Sequence, residues 1–170
     1  MNLEEADSLS EQIAKYISEQ IISGELVEGE RIQELRIAKE LDVSRGSVRE
    51  ALLLLERTYL IEIFPRRGAI VSEMSAQQVK ALFDTNVMVL GHIVQRISET
   101  WRVNEAEHIQ ALLDQLVEFV RAGDIEKFYD SIFKYLAEQH DMVANPYLMQ
   151  FYKELLPSLR RSYFLTLNTS

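Results

Sequence analysis

A chain of 170 residues, 47% apolar and 26% charged, is long enough to bury a real core, in one large domain or two small ones, and is too apolar to be disordered. It has no cysteine, which excludes a disulfide scaffold and a thiolate metal site and fits a cytoplasmic protein. The net charge of −9 argues against a uniformly basic nucleic-acid binder, but the charge is unevenly spread. Arg45 to Arg67 holds five arginines against three acids, whereas Met1 to Glu34 holds two basic residues against nine acids. A local basic surface on an acidic body can still dock on phosphate. No apolar run approaches the ~20 residues that span a bilayer, so no membrane partner is expected. The acidic start, Met1-Asn2-Leu3-Glu4-Glu5, has no signal-peptide pattern.

In chain order, Leu9, Ile13, Ile17 and Ile21 recur at helical spacing behind Ser8 or Ser10, and Ser23-Gly24 stops that helix. A second helix is expected from about Gln33 to Leu41, burying Leu35 or Ile37, Ala38 and Leu41. Asp42-Val43 makes a short turn. A third helix follows Ser44 as N-cap and turns Val48, Ala51, Leu52 and Leu55 inward. Leu60 to Phe64 reads as a strand, Pro65-Arg66-Arg67-Gly68 as a turn, and Ala69-Ile70-Val71 as the returning strand. Three helices and a hairpin, with a tight turn between the second and third helices, are the order of a winged helix-turn-helix.

After the polar joint Ser72 to Ser75 the pattern is helical to the end. The first long helix is expected from Ala76 to Trp101, with Val79, Leu82, Phe83, Val87, Leu90, Val94 and Ile97 in register. The second runs from Asn104 or Glu105 to Arg121 on Ile109, Leu112, Leu113, Leu116 and Val120, and Ala122-Gly123-Asp124 breaks it. The third covers Ile125 to His140. Asn145-Pro146 opens a fourth through Phe151, Leu155 and Leu159, which Pro157 kinks or ends. The fold class is therefore mainly α: a winged helix-turn-helix over residues 1–74 and an all-helical bundle over 75–170.

The third helix carries the chemistry. Ser44 caps it, and Ser47 sits one turn in, where hydroxyls and free amides suit a phosphate oxygen. Arg45 and Arg49 share an outer face, from which a guanidinium can grip guanine O6 and N7. Gly46 removes bulk between them. Arg66, Arg67 and Gly68 form a wing tip able to reach phosphate or the minor groove. The plain alternative pairs Arg49 with Glu50 or Glu56 and leaves Arg45 in water.

Residues 9 to 72 resemble the N-terminal domain of GntR-family transcriptional regulators. The resemblance rests on Ile21-Ile22-Ser23-Gly24-Glu25-Leu26, Gly29-Glu30-Arg31-Ile32, Ala38 to Arg45, Val48-Arg49-Glu50-Ala51-Leu52 and Arg67-Gly68-Ala69. It implies a homodimer on a palindromic double-stranded operator, with Arg45 and Arg49 on bases or phosphates and the wing glycine near the minor groove. Where many members carry a phosphate-touching arginine, this chain has Leu35, with Arg36 next to it as the candidate substitute.

The second half is similar to the helical ligand-binding domain of the FadR-like branch, the FCD type. The matching segments are Leu82-Phe83-Asp84, Ala122-Gly123-Asp124, Asp130-Ser131-Ile132-Phe133 and Asn145-Pro146-Tyr147-Leu148. Relatives often bind a divalent metal through an Asp, a His four residues later and two later histidines. Here Asp130 is kept but Lys134 replaces the His, and an ammonium repels a cation. Asn86 and Leu90 replace an arginine and an acid of the family's first bundle helix. The chain also stops at Ser170, about two helices short of a full family domain. His92, His108 and His140 do not pair at helical spacing, so no metal and no other cofactor is expected. An i,i+4 pair of Asp130 with Lys134 is the plain alternative.

The aromatic residues between Phe119 and Phe164 suit a core, a dimer seam or an effector pocket. Asn86, Asp130, Phe133 and Lys134 are the candidate pocket residues, with an organic acid or an apolar metabolite as the candidate effector. The expected function is a sequence-specific DNA-binding transcriptional regulator, a repressor by type, controlled by that small molecule. The alternative is a DNA-associated interaction module without an effector site. An enzyme lacks support: no nucleophile–base order, phosphate-cradling loop or metal set is present.

Overall fold

The computed structural model describes residues 7–100 and 105–167. They divide into two compact units. The first holds the residues up to Ala76 together with those from Arg161 onward, and the second runs from Gln77 to Arg160.

In the first unit, α1 (Leu9–Ile22), α2 (Glu34–Glu40) and α3 (Arg45–Glu56) precede β1 (Ile61–Phe64) and β2 (Gly68–Val71). α1 opens on a reciprocal cap: Ser8 accepts the Glu11 N–H, and the Glu11 side chain accepts the Ser8 N–H. Those bonds hold the Glu11 carboxyl below its ordinary value. Ile13, Ile17 and Ile21 face inward, as their spacing predicts, and meet Val48, Ala51, Leu52 and Leu55 of α3. Ile37 and Ala38 supply the α2 contribution, whereas Leu35 is exposed and Leu41 only half-buried. Leu60, Ile61, Ala69 and Val71 close the core from the hairpin.

The hairpin is antiparallel, with Ile61 opposite Val71 and Phe64 opposite Gly68. A third piece of backbone lies along it. Arg31 bridges Ile70, Ile32 N–H donates to the Ala69 carbonyl at 2.9 Å, and Val71 N–H donates to the Glu30 carbonyl at 2.9 Å. The connector after α1 is thus an edge of the wing sheet as well as a link.

The second unit is built on α4 (Ala76–Thr100), α5 (Glu105–Ala122), α6 (Ile125–Ala137), the single turn α7 (His140–Val143) and α8 (Pro146–Leu167), whose last residues belong to the first unit. The expected limits at Trp101 and Asn104 lie outside the described residues. α6 ends at Ala137, before the expected His140, which instead begins α7. α8 starts where Asn145 accepts the Leu148 N–H at 3.1 Å, with Pro146 in the first helical position. Pro157 does not end α8, which continues to Leu167.

The α4 register differs from the expected one. Asn86, Val89, Ile93 and Ile97 are buried, while Val87 and Val94 stand in solvent at 68% and 55% exposure. The helix is apolar on two sides, so the 3.6 period alone could not say which side turns inward. On α5, Leu113, Val117 and Val120 are likewise exposed. The inner face of α8 supplies Met149, Tyr152, Leu155 and Leu159. Among the described residues, no helix is long and apolar enough to cross a membrane.

Candidate nucleic-acid interface

The turn between α2 and α3 sets the angle of the second helix. Val43 N–H donates to the Ala38 carbonyl at 2.9 Å, and Asp42 takes φ +53°. This is the Schellman closure, with aspartate where glycine is usual. One residue later Ser44, in extended backbone, accepts the Ser47 N–H at 3.0 Å and caps α3. Its hydroxyl also lies 2.9 Å from the Ser47 hydroxyl, and Ser47 is half-buried. The two hydroxyls therefore satisfy each other, and Ser47 is less open than its position suggested.

Arg45 and Arg49 do share an exposed face of α3, and both reach one carboxylate. Arg45 Nη2 lies 3.2 Å and Arg49 Nε 2.9 Å from Glu34 Oε2, at the start of α2. Glu34 is the sheltered member, with 21% of its side chain exposed against 56% and 63% for the arginines. The pairing of Arg49 with Glu50 or Glu56 does not form: Glu50 accepts the Ser10 hydroxyl at 2.8 Å, and Glu56 accepts the Ile63 N–H at 3.0 Å. No local pattern points to Glu34, since its partners lie 11 and 15 residues away. Arg36 is exposed on α2.

At the wing tip, the Arg67 N–H donates to the Phe64 carbonyl at 3.2 Å across Pro65 and Arg66. Pro65 followed by Arg66 at φ +64° is the order of a type II turn, and arginine occupies a position that favours glycine. Arg66 and Arg67 are both exposed. Gly68 has φ +79°, and a methyl there would lie 3.7 Å from Nε and Nη2 of Arg31. Arg31 is thus a further cation beside the wing glycine. The alternation of Gly29-Glu30-Arg31-Ile32, with Ile32 buried and Arg31 exposed, was the available signal for it.

In the second unit the four candidate pocket residues have different surroundings. Asp130 is held by Arg160 of α8 through two contacts, at 2.8 and 3.2 Å, in place of the expected Lys134. Phe133 is buried. Asn86 is buried with no hydrogen-bond partner for its Oδ1. Lys134 lines a cleft of about 760 Å³ between α5 and α6, beside His108, Gln115, Ser131, Tyr135 and Gln139. The aromatic residues are divided: Tyr152 is core, Phe128, Tyr129 and Phe133 contact in series along α6, and Tyr147 is 87% exposed. Among the described residues no cluster of three or more His, Asp or Glu side chains is placed to hold a metal. The side chain of His140 lies outside the described part.

Comparison with known proteins bears on both halves unequally. Residues 9–71 match the model of the bacterial regulatory proteins, gntR family. The chain is 25% identical over 112 residues to the HTH-type transcriptional regulator YdhC of Bacillus subtilis, covering 66% of this chain and 50% of that protein. It is 24% identical over 117 residues to the gluconate operon transcriptional repressor of the same species, covering 69% and 48%. The chain thus spans about half the length of the curated relatives it matches. Among solved structures it shares the fold of E. coli McbR/YncC, with a TM-score of 0.76 at 21% identity over 96% of this chain and 77% of that one. A GntR protein from Rhodococcus sp. RHA1 gives 0.66 at 19% identity over 94% and 76%. Through the helix-turn-helix and wing, residues 9–71 are thus similar to the gntR family of bacterial regulatory proteins.

Proposed function

We propose that this chain is a transcriptional regulator that binds double-stranded operator DNA as a homodimer on a palindrome. The observation that carries the reading is α3: a Ser44-capped helix that buries Val48, Ala51, Leu52 and Leu55 and presents Arg45 and Arg49 outward. Such a helix can enter the major groove, where a guanidinium reads guanine and the first-turn amides meet phosphate. Arg66 and Arg67 at the wing, with Gly68, reach the flanking backbone or minor groove, and Arg36 supplies a further phosphate contact. Exposed Val87, Met88 and Val94 on α4, and Leu113, Val117 and Val120 on α5, support pairing with a second copy, since apolar rows of this kind mark interfaces.

DNA binding is under the control of the helical half. The second unit takes the role of an FCD-type sensor of the FadR-like branch, in which a small organic acid or apolar metabolite shifts the population of bundle arrangements. The orphan Oδ1 of Asn86 is a buried acceptor that a ligand donor would satisfy. The similarity to the gluconate operon transcriptional repressor makes repression the preferred direction, and the cytoplasm, where operators lie, the compartment.

Selection of bound duplexes from a random pool, followed by gel-shift titration, tests the proposal. A palindrome should emerge, and Arg45→Ala or Arg49→Ala should each weaken its binding by about 5- to 150-fold. Unchanged affinity for both variants sinks the reading. A module that associates with DNA without reading it is the second reading, favoured by the −9 charge. It requires equal affinity for the selected and random duplexes.

A further inference from the structure

We infer that Glu34 is a specificity gate on the recognition helix: its carboxylate holds Arg45 and Arg49 when no guanine is available and yields them only to a matched base. The inference rests on the DNA-binding reading above. One oxygen, Glu34 Oε2, serves Arg49 Nε at 2.9 Å and Arg45 Nη2 at 3.2 Å. Glu34 comes from the neighbouring helix of the motif, at its first position, and is the least exposed of the three. The other carboxylates near α3 are engaged elsewhere, Glu50 with Ser10 and Glu56 with the Ile63 amide. The arrangement is therefore a single acidic group shared by the two cations that face outward from this helix.

The chemistry follows from competition. A phosphate in a random duplex offers each arginine one more anion in exchange for the one it has, with little net gain. A guanine offers two aligned acceptors, O6 and N7, which the fork of a guanidinium fits. Loss of Glu34 is thus made good at a matched site and not at a random one. The carboxylate weakens non-specific binding more than specific binding, and it cancels part of the positive charge that would otherwise release counterions from any DNA.

The test compares the full chain with Glu34→Gln, which keeps shape and hydrogen-bonding capacity and removes the charge. Glu50→Gln removes an equal charge from α3 itself and serves as the control. Each is titrated with the selected operator and with a random duplex over a range of salt. Glu34→Gln should tighten random-duplex binding by roughly fivefold, the scale of an exposed ion pair. It should tighten operator binding by less, and steepen the salt dependence on random duplex by about 0.9 in log–log slope. In an Arg45→Ala/Arg49→Ala background the same substitution should do nothing. The inference is overturned if Glu34→Gln leaves random-duplex affinity unchanged, or if Glu50→Gln matches it, which would make the effect one of net charge. It is also overturned if Glu34→Gln weakens the operator selectively, which would make Glu34 a base reader. Thermal melting of each variant separates these outcomes from unfolding. If the parent chain binds no duplex at all, the DNA-binding reading itself has failed, and that result is distinct from every one above.

Discussion

Asp130 on α6 and Arg160 on α8 are joined by two nitrogen–oxygen contacts, 2.8 and 3.2 Å long, across 30 residues of chain. Asp130 is the residue that the FCD resemblance marks as a candidate metal ligand, and here its carboxylate is bound to a guanidinium from α8. A fork-to-fork pair fixes both side chains and ties α6 to α8. With 40% of the Asp130 side chain exposed, solvent screens the pair and the expected value is about 1 kcal/mol. A double-mutant cycle in urea should therefore give a coupling of about 1 kcal/mol between Asp130→Ala and Arg160→Ala, and near zero between Asp130→Ala and Lys134→Ala. Coupling to Lys134 instead would restore the local helix pair.

Ser44 can be split into its two duties. Ser44→Ala removes the oxygen that accepts the Ser47 N–H and should cost about 1 kcal/mol of stability, read from the denaturation midpoint. Ser44→Asp keeps the cap and should hold stability near the parent value. Its added charge would face DNA phosphate, however, so gel-shift affinity should fall. Loss of stability in Ser44→Asp equal to that in Ser44→Ala would show that the cap is not what Ser44 contributes.

Arg66 sits at φ +64°, where a side chain is strained and glycine is not. Arg66→Gly should raise thermal stability by up to about 1 kcal/mol while weakening DNA binding and making its salt slope shallower by about 0.9. Opposite signs for stability and binding would identify a residue kept for its charge. A gain in both would remove Arg66 from the interface.

The cap at the start of α1 has a pH signature. Bonds from Ser8 hold the Glu11 carboxyl below its usual 4.5, so the folded state binds that proton less readily than the unfolded one. The stabilisation is present above pH 4.5 and is lost as pH falls through the lowered folded value. Glu11→Ala should therefore be less stable than the parent at pH 6, and the gap should narrow in denaturation curves as pH falls below 4.5. A gap that stays constant as the pH falls would assign the effect to packing.

How far these features were readable from the chain depends on their range. Ser8, Ser44, Gly24 and the α3 stripe at Val48, Ala51, Leu52 and Leu55 obey local rules, and they fall where capping and periodicity place them. The wing was legible for the same reason: Pro65 and Gly68 bracket a turn between two β-branched runs. Contacts between distant residues were not legible. Glu34 meets Arg45 and Arg49 only once the Asp42 turn folds α2 against α3, and Asp130 meets Arg160 only when α8 packs on α6. On α4, two apolar sides compete, and the buried one contains Asn86, a residue that a hydropathy pattern places outside.

Arg161 follows Arg160 on α8, but its guanidinium belongs to the first unit. It is 2% exposed and meets Glu28 Oε1 at 3.1 Å, an oxygen that also accepts the Met74 N–H. Burial lowers its basicity and Glu28 opposes that change. The folding module that carries α3 and the wing is therefore not a continuous stretch of polypeptide. A fragment cut after residue 76 keeps every residue of the family match and still parts Glu28 from its cation. Grafting the winged helix onto another sensor would transplant an acid whose counterpart, 133 residues downstream, stays behind.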